Sequence, residues 1–244
     1  MIGGRGNGAA APLALVQVLV LAAMACGSGK DEKKPRAAAV VESTTTADTA
    51  ATETTSRPRI LFLGTSLTAG LGLEPDSAYP AVIQRLATKD GYAVDVINAG
   101  LSGETSAGAL RRADWLMSQP LAAVVIETGA NDGLRGVDPD STAANIAALI
   151  AKVRAAQPNA AVVLAQMEAP TNLGPAFQRR FRAVFPAVAR ATGVRLLPFL
   201  LDGVGGRPEL NQDDGIHPTA EGARKVAANV YKSLRPVLDS LARK

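Results

Sequence analysis

The chain of 244 residues carries one histidine, His217, and one cysteine, Cys26. Any general base of the histidine type must therefore be His217. It stands in Asn211-Gln212-Asp213-Asp214-Gly215-Ile216-His217-Pro218, with a carboxylate three residues before it. A carboxylate that close can hold Nδ1–H, fix the tautomer and leave Nε2 facing a nucleophile. Pro218 restricts the histidine backbone away from the helical region, which suggests a side chain held in place. The candidate nucleophile is Ser66, in Ile60-Leu61-Phe62-Leu63-Gly64-Thr65-Ser66-Leu67-Thr68. Four apolar residues followed by Gly-Thr-Ser read as a buried strand that stops at a hydroxyl. Ligands of open α/β sheets sit outside the carboxyl ends of the strands, so a serine one step past a strand is well placed for attack. A serine there is equally the preferred N-cap of a following helix.

Two more stretches combine glycine with hydrogen-bonding groups. In Asn98-Ala99-Gly100-Leu101-Ser102-Gly103-Glu104-Thr105, Gly100 can let the backbone approach a ligand and present its N–H, or it can be a plain turn glycine. In Thr128-Gly129-Ala130-Asn131-Asp132-Gly133, the Asn131 amide can donate to an oxyanion and Asp132 can act as a base or a brace, although Asn-Asp-Gly is also ordinary turn chemistry. Other classes fit poorly. One His and one Cys give zinc at most two such ligands against the usual three or four, and no carboxylates are spaced as a metal site. Gly64 and Gly70 stand six apart, but Leu71-Gly72 follows where a phosphate-binding loop needs Lys and Ser/Thr, and the dinucleotide spacing lacks its third glycine. The Gly-x-Ser-x-Gly elbow of α/β-hydrolases is missing. The net charge of +4 is scattered, and Arg179, Arg180 and Arg182 are spaced as a solvated helix face without interleaved aromatics, so no nucleic-acid partner is expected.

The elements that must position these residues alternate. Strands are expected at 60–63, 93–97, 122–127, 161–166 and 194–197. Helices are expected at 77–89, 105–118, 142–156, 175–192 and 220–241, the last with a kink at Pro236. Short apolar strands separated by helices imply a parallel sheet covered on both faces, and right-handed crossovers give a three-layer α/β/α sandwich, flavodoxin-like, over residues 58–244. A hydrophobic content of 47% supports a packed domain of that size.

The first 57 residues do not read as part of that fold. Arg5 precedes an apolar run from Ala9 to Ala25, too short for a membrane span and ending Ala23-Met24-Ala25-Cys26, as signal peptides end. Residues 1–25 are expected to be a signal peptide. Residues 26–57, polar and rich in Ala, Thr, Glu and Asp, are expected to form a disordered linker.

Taken together, Gly64-Thr65-Ser66-Leu67-Thr68, Gly100 in Asn-Ala-Gly-Leu-Ser-Gly-Glu-Thr, Asn131 in Gly-Ala-Asn-Asp-Gly-Leu-Arg-Gly, and Asp214 with His217 in Asp-Gly-Ile-His-Pro resemble the four blocks of the SGNH (GDSL-type) hydrolases, in order, over residues 58–240. The third and fourth blocks are most similar to the acyl-CoA thioesterase I / lysophospholipase / arylesterase branch. The resemblance implies a serine esterase with no cofactor. Ser66, His217 and Asp214 would form the triad, and Ser66 N–H, Gly100 N–H and the Asn131 side chain the oxyanion hole. The loops 73–80 and 167–175 would flank a pocket for an acyl ester or thioester. Thr65 departs from the pattern, where an Asp usually follows the glycine. The Cys26 junction resembles a bacterial lipobox, implying a lipid-anchored protein of the cell envelope (periplasm) that meets the membrane through that anchor. Two other readings stand beside this one: an O-acetylesterase acting on envelope carbohydrate, and a non-catalytic binding lipoprotein, which should have lost one of Ser66, Asn131 or His217.

Overall fold

The computed structural model describes residues 57–242. The expected signal peptide, Cys26 and the linker as far as Ser56 lie outside the described residues. Strands β1 (Arg59–Gly64), β2 (Asp95–Gly100), β3 (Ala123–Ile126), β4 (Ala161–Gln166) and β5 (Arg195–Phe199) form one parallel sheet in the order β2-β1-β3-β4-β5. The helices are α1 (Ser66–Ala69), α2 (Tyr79–Lys89), α3 (Ser106–Leu116), α4 (Ala130–Leu134), α5 (Pro139–Ala156), α6 (Gly174–Thr192) and α7 (Ala220–Ala242). The sandwich expected from the sequence is present, with the flavodoxin-type strand order.

Strand order and crossover hand together fix the layers. The chain steps outward from β1 to β2, then back across β1 to β3, β4 and β5. Right-handed crossovers in opposite directions put their helices on opposite faces. Accordingly α2 packs with α7 on one face, and α3, α5 and α6 pack in sequence on the other. Strands β1, β3 and β4 are covered on both sides and read as apolar runs, whereas the edge strands β2 and β5 carry half-exposed polar positions.

Edge position explains where the sequence boundaries shift. β2 begins two residues later than expected and runs on through Asn98 to Gly100, because an edge strand tolerates Asp95 and Asn98. β5 continues through Pro198, a residue confined to edges and bulges since it cannot donate to a ladder. Helix α5 starts at Pro139, where proline suits the first turn, and α7 runs on as a single helix through Pro236. Two short helices, α1 with 4 residues and α4 with 5, have no counterpart in the sequence reading, being too short to show a helical period. Both lie at carboxyl ends of strands.

The core beneath those ends is tightly filled. Phe181 and Phe185 of α6 are fully buried and meet edge to face at 5.5 Å. Burial of each stabilises the fold by about 1.5–3 kcal/mol. Their rings support α4, since a Cβ on Gly129 or Gly133 would come within 3.2 Å of Phe185 or Phe181. On the other face Ile83 and Ala87 of α2 pack with Val226, Val230 and Leu234 of α7 in the same buried cluster.

Candidate active site

Chain direction reverses between β1 and β3, the switch point where ligands of doubly wound sheets bind. The chain leaves β1 into α1. Thr65 takes the N-cap position without capping through its side chain, and Ser66 is the first helical residue. Ser66 is thus not the cap that its place after a strand allowed. Its Oγ lies 2.8 Å from His217 Nε2, and its N–H, at the first position of a helix, has no intrahelical acceptor.

His217 sits in a hairpin-like loop after β5. The Gln212 N–H donates to the His217 carbonyl at 2.7 Å, and the loop turns at Gly215, φ +67°. Asn211 is buried and donates through Nδ2 to the carbonyls of Val204 and Arg207 at 2.7 Å each. The Asp214 carboxylate meets His217 Nδ1 at 2.6 Å and accepts the N–H groups of Ile216 and His217 at 2.8 and 2.9 Å. The imidazole hydrogen bond first, and the two backbone donors after it, hold the Asp214 carboxyl down to about 2. An ionised Asp214 keeps the proton on Nδ1 and leaves the Nε2 lone pair facing Ser66. The arrangement can deprotonate the serine and return the proton to a leaving group.

On the opposite side of Ser66 the structure corrects one expectation. Gly100 ends β2 beside Gly64, but its N–H donates to Asn98 Oδ1 at 2.9 Å and is not free for an oxyanion. Gly100 is required for another reason: a Cβ there would stand 2.1 Å from Ala69 N and 2.8 Å from Thr65 O, inside α1. Three residues on, Gly103 has φ +78°, and among the described residues its N–H has no partner. Asn131, in α4, donates one amide hydrogen to Glu104 O at 3.0 Å and keeps the second. Among the described residues the N–H groups of Gly103 and Ser66 and the second Asn131 amide hydrogen are thus left without partners.

Four buried or half-buried groups fix these loops, and the sequence reading missed three of them. Arg112 of α3 pairs with Glu104 through Nε and Nη2 at 2.6 and 2.7 Å, while Nη2 also reaches the carbonyls of Ala99 at 2.8 Å and Gly64 at 3.3 Å. This bidentate pair joins the Gly103 loop to the ends of β1 and β2. Glu127, fully buried after β3, accepts the Thr65 N–H at 2.7 Å, the Thr65 hydroxyl at 3.0 Å from both oxygens, and the Thr68 hydroxyl at 2.9 Å. Tyr79 OH backs Thr68 at 2.9 Å. Burial pushes the Glu127 carboxyl up, and these donors pull it down. The fourth group, Asp132, for which the sequence allows either base or brace, is a brace: it is buried, accepting Ser106 N–H at 2.8 Å and the Ser106 and Thr142 hydroxyls at 2.5 and 3.3 Å. Glu127 had a visible signal as the one acid closing an apolar run; Arg112 and Glu104 had none, since an eight-residue separation across a loop–helix junction has no period to follow.

The loops expected to flank the pocket divide. Leu73 and Tyr79 line an apolar recess with Leu67, Leu200, Leu201 and Val226, opening beside Ser66 and His217, with room for about one water at 10 Å³. In the second loop Ala169 and Leu173 lie against Gly133 and Gly136, behind and just beyond the Asn131 helix. Among the described residues no group of three or more His, Cys, Asp or Glu side chains could hold a metal ion.

Residues 62–225 match the family model of the GDSL-like Lipase/Acylhydrolase family, and the chain belongs to that family. It is 39% identical over 188 residues to Esterase TesA of Pseudomonas aeruginosa, a match covering 77% of this chain and 92% of the relative. It is 36% identical over 181 residues to the Thioesterase 1/protease 1/lysophospholipase L1 of Escherichia coli strain K12, covering 74% and 85%. The crystal structure of the psychrotrophic esterase EstA from Pseudoalteromonas sp., inhibited by monoethylphosphonate, superposes with a TM-score of 0.70 at 35% identity, covering 74% of this chain and 98% of that one. The protein is a carboxylic ester hydrolase.

Proposed function

We propose that the protein hydrolyses acyl esters or thioesters through an acyl-enzyme on Ser66. The Ser66 Oγ attacks the acyl carbonyl while His217 Nε2 takes its proton, and Asp214 steadies the imidazolium. The oxyanion receives hydrogen bonds from the N–H groups of Ser66 and Gly103 and from the Asn131 amide. Collapse of the tetrahedral species breaks the ester bond as His217 returns the proton to the leaving alcohol or thiol. Water, activated by the same histidine, then attacks the acyl-enzyme and frees the acid. The observation that carries this reading is the unbroken chain Asp214–His217–Ser66, with hydrogen bonds of 2.6 and 2.8 Å. The names of the relatives, esterase, thioesterase and lysophospholipase, support the ester and thioester range.

A second reading, a deacetylase of envelope carbohydrate, is favoured by one feature: the recess beside Ser66 has room for about one water, which suits an acetyl methyl. Steady-state rates on p-nitrophenyl esters of rising acyl length, with a thioester, a lysophospholipid and an acetylated glycan alongside, separate the two. Rates that rise toward medium or long chains support the lipid-type esterase; hydrolysis confined to acetyl groups supports the second reading. We also propose export and lipid attachment at Cys26, on the strength of the Ala23-Met24-Ala25-Cys26 junction, and the mass of the mature N-terminus tests it.

A further inference from the structure

The reacting pair comes from segments 151 residues apart that follow strands no ladder pairs directly. Ser66 hangs from β1, whose ladder partners are β2 and β3, whereas His217 comes from a loop beyond the edge strand β5. Among the described residues, two hydrogen bonds cross from the segment 65–73 to the loop 211–218. One is Ser66–His217 itself, and the other runs from Gln212 Nε2 to Leu71 O at 2.7 Å. We propose that Gln212 is a positioning residue for this reaction, a clasp that sets the approach of His217 to Ser66; this rests on the triad reading above.

The clasp grips both sides. The second hydrogen of the Gln212 amide donates to Pro218 O at 2.9 Å, immediately after the histidine. The Gln212 backbone N–H donates to His217 O at 2.7 Å, and its carbonyl accepts Gly215 N–H at 2.9 Å. With both Nε2 hydrogens on carbonyls, Oε1 must face the other way, over Gly72. That residue has φ +76°, and a Cβ there would come within 2.3 Å of Gln212 Oε1. Only glycine lets the amide lie this close to the tail of α1. Gln212 has no hydrogen bond to Ser66 and does not itself line the recess; it acts through the carbonyls of Leu71 and Pro218, which it holds together at the recess wall. A nucleophile and base misplaced by about 1 Å can lose on the order of 10²-fold in rate.

Gln212→Met keeps the length and bulk of the side chain and removes both donors. Gln212→Glu keeps its shape and polarity and, ionised, cannot donate. Each variant is checked for native circular dichroism and then compared with the wild type in ester hydrolysis and in its second-order rate of labelling by a fluorophosphonate. The clasp predicts a fall in kcat of about 10-fold or more, KM within about twofold of wild type, and labelling slowed by the same factor as kcat. Folded Gln212→Met with kcat and labelling within about twofold of wild type overturns the proposal, as does a loss confined to KM. Should Gln212→Met fail to fold, Gln212→Glu decides by the same criteria, and unfolding of both overturns it in favour of a purely structural role. A wild type that is never labelled at Ser66 is a failure of the triad reading, distinct from a labelled wild type that Gln212→Met matches.

Discussion

Thr65 departs from the family pattern, which usually has an Asp there, and the structure gives it a task that valine could not perform. Its hydroxyl lies 3.0 Å from both oxygens of the buried Glu127, while its N–H holds Oε2 at 2.7 Å. Thr65→Val keeps the volume, the backbone bond and the Thr68 bond, and removes one donor from a carboxylate that water does not reach. A hydrogen bond to a charged group is worth about 1.5–3 kcal/mol, and one between neutral groups about 0.5–1.5 kcal/mol. With the carboxyl ionised, Thr65→Val should therefore cost about 1.5–3 kcal/mol, a shift of roughly 1 M in a urea midpoint. Burial raises the Glu127 carboxyl, so the folded protein holds this proton more tightly than the unfolded chain does. The stability this group contributes is full below the ordinary carboxyl range and is lost as pH rises through the folded-state value. The Thr65 hydroxyl favours the ionised form, so removing it lifts that value further, and the gap between variant and wild type should widen as pH rises. Urea unfolding of both proteins from mildly acidic to mildly alkaline pH makes the comparison. A variant within about 0.5 kcal/mol of wild type at neutral pH, or a gap that narrows with rising pH, would refute the reasoning.

Asn131→Ala removes one donor from the oxyanion side, and kcat should fall by about 10²–10³-fold with KM little changed, measured in steady-state hydrolysis of a soluble ester. Gly100→Ala drives a methyl into the α1 backbone, 2.1 Å from Ala69 N, where no flexible side chain can give way. It should destabilise by about 1–3 kcal/mol or more in thermal or urea unfolding and lose activity because Ser66 moves, not because a donor is lost. Asp214 acts in the opposite sense to Glu127. Its carboxyl is held down to about 2, so its contribution is fully present above the ordinary carboxyl range and disappears as pH falls toward that value. Acid unfolding of Asp214→Asn should show a shallower loss of stability between about pH 4 and 2 than wild type does.

The sequence made the frame legible because each central strand is buried on both faces and so reads as an apolar run: Ile60–Leu63 and Ala161–Gln166 needed no context. Edge strands obey a weaker rule, and β2 slid because Asp95 and Asn98 are acceptable at an edge and nowhere else in the sheet. His217 and Asp214 could be paired from residue scarcity, there being one imidazole with one carboxylate at the right interval, whereas Ser66 was legible only from its place at the end of an apolar strand. Two glycines three apart in Gly100-Leu101-Ser102-Gly103 differ in their surroundings: Gly100 clears space for α1 and gives its N–H to Asn98, whereas among the described residues the Gly103 N–H has no partner. Composition cannot tell these apart; the positive φ of Gly103 and the Asn98 bond to Gly100 can. Long-range brackets such as Arg112 to Gly64 were invisible because they follow the topology and not the spacing. Thr65 shows the reverse, a departure from pattern that looked like a weakness. An Asp there would set a second carboxyl against Glu127, and the pair would have to share a proton; threonine supplies a hydroxyl instead.

The central claim is that Ser66 is the nucleophile and that His217 activates it. Incubation with a fluorophosphonate, followed by proteolysis and mass spectrometry, tests this directly. The account predicts one phosphonyl adduct, on the peptide containing Ser66, formed in step with loss of esterase activity and abolished in His217→Ala. Esterase activity that survives with Ser66 unmodified, or an adduct on another residue, would contradict it.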